Sequence, residues 1–154
     1  MRSIVGKNRV LARWQWKGKF AATLVFAGLL SACSTSSGLC DRFGPSQSAS
    51  MDVPSGASAQ KVFACLDEAT SGKGDRPEYA GKGKATRDLT AGVYETDQYR
   101  ASNVSGFRLK AELSKKTPST LTLTLRGAGA YCADLGVNQE MARLKADVSA
   151  CLQR

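Results

Sequence analysis

The sequence predicts an α+β domain: a short antiparallel sheet of about three strands, with two helices packed on one face and disulfide bonds holding them. Residues 107–113 and 121–125 alternate between apolar and polar side chains, as half-buried strands do. Residues 59–70 and 138–152 carry apolar side chains at helical spacing. Cys65 and Cys151 lie within the two predicted helices, and Cys132 lies between the second strand and the second helix, so covalent links between elements are expected.

The first helix is predicted to follow Ser58, a residue type that favours the N-cap, and to run through Thr70. Gly72 and Gly74 end it. Its apolar face, with side chains three and four positions apart, is made of Val62, Cys65, Leu66 and Ala69.

A long loop is predicted over residues 71–88, which are rich in glycine and lysine. Residues 92–99 follow as a weakly alternating strand. The loop supplies a possible contact surface for a partner, although a solvated loop is the simpler interpretation. Its cations are Lys73, Arg76, Lys82, Lys84 and Arg87.

The clearest element is a hairpin. Leucines at 109, 113, 121, 123 and 125 alternate with threonines and charged residues, and the proline-containing segment SKKTPS turns the chain between the two strands. The polar face of this hairpin should meet water or a partner.

The final helix is predicted to start with Asn138 as its N-cap. Glu140 in its first turn suits the positive end of the helix dipole. Its apolar face consists of Met141, Leu144, Val148, Cys151 and Leu152.

The amino-terminal segment is typical of a secretory signal. Residues 1–19 hold six cations and no acid, and residues 20–30 are an uncharged apolar run of 11. About 20 apolar residues are needed to cross a bilayer, so this run is too short for a transmembrane helix.

Directly after this run, Leu30-Ser31-Ala32-Cys33 resembles the lipobox of bacterial lipoproteins, and all four positions match. The resemblance implies that residues 1–32 are a cleaved signal peptide and that Cys33 carries a lipid with acyl chains such as palmitate. It also implies a place in the bacterial cell envelope. Ser34 implies the outer membrane, facing the periplasm, if the host is Gram-negative. No family is indicated for the rest of the chain.

Removal of the signal changes the charge. The full chain has 22 cations and 13 acids, a net charge of +9, whereas the chain from residue 33 onward has 16 and 13, a net charge of +3. With little excess charge and no basic stripe with interleaved aromatics, a nucleic-acid partner is not expected. Residues 33–58, rich in serine, predict a lipid-anchored tether, and residues 59–154 a periplasmic domain.

The cysteines Cys40, Cys65, Cys132 and Cys151 predict two disulfides in an oxidising compartment. A bond between Cys132 and Cys151 is disfavoured because a helix of roughly 20 Å would separate them. The pairing Cys65–Cys151 with Cys40–Cys132 is favoured, and Cys40–Cys151 with Cys65–Cys132 remains the alternative.

No catalytic constellation is visible in the sequence, and no cofactor or metal site is predicted. The chain has no histidine, so histidine-based triads and histidine–zinc sites are excluded. Glu95 and Asp97 could share one face of a strand and act as paired carboxylates, but the wet face of an edge strand is the simpler interpretation.

Two functions compete. The chain could be a non-enzymatic accessory or binding module that contacts an envelope protein or an anionic envelope component through the hairpin face and the 71–88 loop. The alternative is an inhibitor of an envelope component, or a minor carboxylate-dependent enzyme acting on one.

Overall fold

The computed structural model describes Cys40 and residues 44–101 and 104–154. These residues form five strands, two α-helices and one short 3-10 turn. The strands are β1 (Ser46–Asp52), β2 (Ala85–Asp88), β3 (Val93–Thr96), β4 (Gly106–Leu113) and β5 (Thr120–Ala128). The helices are α1 (Ala59–Thr70) and α2 (Val137–Leu152), and the 3-10 turn is Ala130–Cys132. The sheet is antiparallel with the order β1-β5-β4-β3-β2.

The hairpin of β4 and β5 forms the centre of the sheet, as its alternating pattern predicts. Leu109 pairs with Leu125 and Ala111 pairs with Leu123, so the apolar side chains of both strands point to the same face. All four are fully buried. The α+β class and the antiparallel hairpin are therefore confirmed.

The expected number of strands is wrong, because the sheet has five rather than about three. The edge strand β1 lies inside the segment predicted as a tether, and β2 lies inside the predicted 71–88 loop. Neither strand has a strong apolar alternation. β1 reads SQSASMD, and its inward-facing Ala49 and Met51 are only partly buried against the core. Backbone hydrogen bonds hold β1 to β5 and β2 to β3, although the side chains of β1 and β2 give no apolar pattern that predicts a strand.

Both helices form close to where they are predicted. The Ser58 hydroxyl accepts a hydrogen bond from the Lys61 backbone N–H at 3.2 Å, so the predicted N-cap of α1 is confirmed. Asn138 is not the N-cap of α2. That helix begins at Val137, after the left-handed Gly136, and the Asp134 carboxylate accepts the backbone N–H groups of Gly136 and Val137 at 2.9 and 3.0 Å.

The core lies between the helices and one face of the sheet. Its central side chains have no exposed surface, and they come from α1, β4, β5 and α2: Val62, Leu66, Leu109, Leu121, Leu123, Leu125, Leu144 and Val148. Within the part of the chain that the structure describes, no helix is long and apolar enough to cross a membrane.

Two cysteine pairs link parts of the fold that are far apart in sequence. Cys65 and Cys151 join α1 to α2 with their Cα atoms 5.6 Å apart. Cys40 and Cys132 lie 5.3 Å apart and tie the segment before β1 to the turn after β5. This is the favoured pairing, and the alternative pairing is wrong.

Candidate functional site

The helices cover one face of the sheet, and the opposite face is polar. Across it, Ser48 pairs with Thr124 and Ser50 pairs with Thr122. The two side-chain hydroxyl pairs lie at 3.2 and 3.3 Å, so neighbouring strands present a ladder of hydroxyl groups. We call this surface the outer face. It consists of Ser48, Ser50, Glu95, Lys110, Glu112, Thr122 and Thr124.

The charges of the outer face are paired with one another or with a neighbour. The Lys110 ammonium donates to Glu112 at 2.9 Å, and this hydrogen bond raises the pKa of Lys110. The Arg100 guanidinium donates two hydrogen bonds to Glu95, both at 3.0 Å. The outer face therefore offers many hydrogen-bonding groups and little net charge.

One end of this side of the sheet is covered by residues 97–101, which follow β3. The Arg126 guanidinium stacks 5.0 Å from the centre of the Tyr99 ring. Arg108 is 2 % exposed and donates to the Ala101 carbonyl at 2.5 Å. Beside the outer face, a shallow cavity of about 250 Å³ is lined by Thr86, Asp88, Val93, Glu95 and Arg100. A partner would meet the uncovered hydroxyl ladder and this cavity.

The predicted basic surface is only partly available for a partner. Arg76 donates to Asp147 at 3.0 Å, and Arg87 donates to Asp67 at 2.9 Å, so both arginines are held by acids on the helices. Arg87 remains exposed despite this ion pair, and the other exposed cations of the predicted surface are Lys73, Lys82 and Lys84.

The two carboxylates predicted to act as a pair, Glu95 and Asp97, do not share a hydrogen-bond partner in the structure. Glu95 binds Arg100, whereas the Asp97 carboxylate accepts the backbone N–H of Gln98 at 2.9 Å just after β3 ends. Asp97 also lies against Gly81, where an added Cβ atom would be 2.5 Å from the Asp97 Cβ. The Asp97 side chain therefore stabilises the turn that follows β3.

A buried polar cluster is formed by Tyr79 and three charged residues of α2, namely Glu140, Arg143 and Asp147. The Tyr79 hydroxyl donates to Glu140 at 2.7 Å, and Arg143 donates to the other carboxylate oxygen at 2.8 Å. Arg143 also donates to Asp147 at 2.6 Å and to the Ala69 carbonyl at 3.0 Å. Burial, and then the negative charge of Glu140, raise the pKa of Tyr79 well above its usual range, so its hydroxyl stays protonated and donates. This cluster joins the 71–84 segment to both helices.

From the sequence, Glu140 is expected only to place a favourable charge at the start of α2. Its side chain is instead 5 % exposed and belongs to this cluster. The sequence signal was its position, because Glu140 lies three residues after Val137 and one before Met141, both of which are buried.

Among the residues that the structure describes, no group of three or more acidic or cysteine side chains could hold a metal ion. No protein-family model, no curated protein and no solved structure among those compared matches this chain.

Proposed function

We propose that this chain is a lipoprotein of the bacterial cell envelope, lipidated at Cys33, and that its domain is a non-enzymatic accessory module that binds an envelope protein through the outer face. The lipobox and the preceding basic and apolar segments support the anchor. They lie outside the described residues. The two cysteine pairs at disulfide distance support an oxidising compartment such as the periplasm.

The hydroxyl ladder of the outer face is the observation that carries the binding role. Ser48, Ser50, Thr122 and Thr124 lie on adjacent strands of a rigid sheet, so their donors and acceptors are already ordered before a partner arrives. The ion pairs beside them leave little net charge to attract an anion. A polar protein surface that offers complementary hydrogen bonds fits this face better than an anionic polymer.

The basic 71–88 segment is a weaker candidate for the contact. Two of its five cations are held by acids of the same chain, and acids of its own, including Glu78, lie close in sequence to the remaining lysines. Exposed charges of this kind are also screened within about 8 Å at physiological ionic strength.

Site-specific photo-crosslinking tests the outer face as a contact surface. A photoreactive residue at Thr122 in the full chain, expressed in a bacterial envelope, is expected to give one dominant adduct of discrete mass on a denaturing gel. The matched control is the same probe at Gln60, an exposed residue of α1 on the opposite side of the sheet. Equal adducts from both positions, or none from Thr122, would remove the support for binding through the outer face.

A further inference from the structure

The segment after β5, residues 129–136, exposes an unusual amount of apolar surface. We call it the Tyr131 loop. Its Tyr131 side chain is fully exposed and Leu135 is 42 % exposed. Only one other large apolar side chain of the described residues, Leu89, is exposed to a similar degree. Tyrosine is enriched in protein interfaces and at membrane–water interfaces relative to the rest of a protein surface.

The Tyr131 loop is held rather than loose. Tyr131 and Cys132 both have left-handed backbone angles, with φ of 53° and 60°, which costs non-glycine residues about 1–3 kcal/mol each. The bond between Cys40 and Cys132 fixes one side of the loop. Backbone hydrogen bonds fix the rest: Gly129 N–H to Ala133 at 2.8 Å and Leu135 N–H to Gly127 at 3.2 Å. The fold therefore maintains an exposed tyrosine at an energetic cost.

The number of residues between Cys33 and Cys40 limits how far the Tyr131 loop can lie from a lipid on Cys33. Six residues separate Cys33 from Cys40, so even a fully extended link reaches only about 25 Å. Cys40 is bonded to Cys132, the residue next to Tyr131. The segment that leads into β1 lies at the same end of the sheet, because the Gly127 N–H donates to the Pro45 carbonyl at 3.1 Å. A lipid on Cys33 would therefore hold Cys40 within about 25 Å of the membrane surface, and Cys132 lies 5.3 Å from Cys40.

We propose that the Tyr131 loop inserts into the membrane–water interface as a second contact with the bilayer, and this inference rests on the proposed lipidation of Cys33. Tyrosine suits that position because its ring is apolar and its hydroxyl can stay hydrated. Leu135, four residues later in the same loop, adds exposed apolar area. The one acid of the loop, Asp134, accepts backbone N–H groups of Gly136 and Val137, so its charge is partly compensated.

With the Tyr131 loop in the bilayer, β4 runs away from the membrane and β5 runs back toward it, so that the outer face stands upright above the lipid surface. The turn that contains Leu89 lies at the far end of the sheet, because the Leu113 N–H at the end of β4 donates to the Gly92 carbonyl at 2.8 Å. Eight residues of β4 separate the two ends by about 25 Å.

Fluorescence quenching by brominated lipids tests this contact. Both tryptophans of the chain, Trp14 and Trp16, lie within residues 1–32, so a Tyr131→Trp substitution gives the processed protein a single tryptophan. The lipidated protein is purified from a bacterial host and reconstituted into phosphatidylethanolamine–phosphatidylglycerol vesicles with or without brominated acyl chains. The Tyr131→Trp emission is expected to fall at least about twofold in brominated vesicles, because interfacial residues lie at the headgroup–acyl boundary.

A Leu89→Trp variant is the matched control, since Leu89 is 44 % exposed and lies at the opposite end of the sheet. Its emission should change by less than about 10 % if that end stands clear of the bilayer. A Leu135→Trp variant provides a second probe should Tyr131→Trp disturb the left-handed turn, and it should be quenched as well.

Vesicle flotation and quenching together distinguish a failure of the Tyr131 loop to contact the membrane from a failure of Cys33 to carry a lipid. If the protein floats with the vesicles but neither loop probe is quenched more than Leu89→Trp, the membrane contact is overturned and the anchor stands. The same holds if the loop probes are shielded from aqueous acrylamide but not quenched by brominated lipid, since a protein would then cover the loop. If the purified protein carries no lipid and does not float, the anchor fails and the inference falls with it.

Discussion

Replacing Cys65 and Cys151 together with alanine is expected to lower the free energy of unfolding by about 4 kcal/mol, because their bond closes a loop with a sequence separation of 86 residues. Both sulfur atoms belong to buried residues that join α1 to α2. Without the bond, the unfolded chain regains the entropy of that loop and the two helices are held by packing alone. Urea denaturation of the purified double variant beside the wild type measures the difference.

The second cysteine pair is the control. The Cys40–Cys132 bond closes a similar span, 92 residues, but it links the segment before β1 to the Tyr131 loop and does not join the helices, so its removal by Cys40→Ala with Cys132→Ala leaves the link between α1 and α2 intact. Hydrogen exchange should therefore show loss of protection in α1 and α2 only when Cys65 and Cys151 are replaced. Equal loss in both double variants, or a loss of stability below about 1 kcal/mol for the helix pair, would contradict this role.

The Glu140→Ala substitution should cost about 2–3 kcal/mol of unfolding free energy, somewhat less than the loss of a fully buried ion partner. The discount arises because the Arg143 side chain is 25 % exposed and keeps its hydrogen bonds to Asp147 and the Ala69 carbonyl. The loss also leaves the buried Tyr79 hydroxyl without its acceptor. Thermal or urea unfolding of the single variant measures the effect.

Glu68→Ala is the matched comparison, since Glu68 pairs with Arg154 and Arg76 on the exposed surface. It should cost no more than about 1 kcal/mol. Tyr79→Phe should cost about 1 kcal/mol alone and less when Glu140 is already alanine, because the two groups share one hydrogen bond. If Glu140→Ala proved no more damaging than Glu68→Ala, the buried cluster would not hold the 71–84 segment to the helices.

The elements that could be predicted are those whose side chains carry the pattern. Leu109 and Leu125 alternate with polar neighbours, so β4 and β5 can be read from the sequence. The strands β1 and β2 could not be read in this way. Ser48 and Ser50 face water on an edge strand, and a serine-rich segment has the same composition whether it pairs with β5 or remains free.

The candidate site also contains some features that a sequence pattern predicts and others that no pattern predicts. The threonine pattern predicts the polar face of the hairpin but not the width of the outer face, because no sequence pattern predicts β1. The ion pair between Arg87 and Asp67 joins residues 20 positions apart, so no local sequence pattern predicts it. The exposed Tyr131 could not be predicted either, since its exposure depends on a left-handed turn next to Cys132.

The anchor at Cys33 is the claim on which location, orientation and binding role depend, and the mass of the amino-terminal peptide tests it most directly. The chain is expressed in a bacterial host, extracted from membranes with detergent and digested. The expected peptide begins at Cys33 and carries a diacylglyceryl group, with or without a further acyl chain. A peptide that begins at Met1, or one in which Cys33 keeps an unmodified thiol, would contradict the lipoprotein assignment.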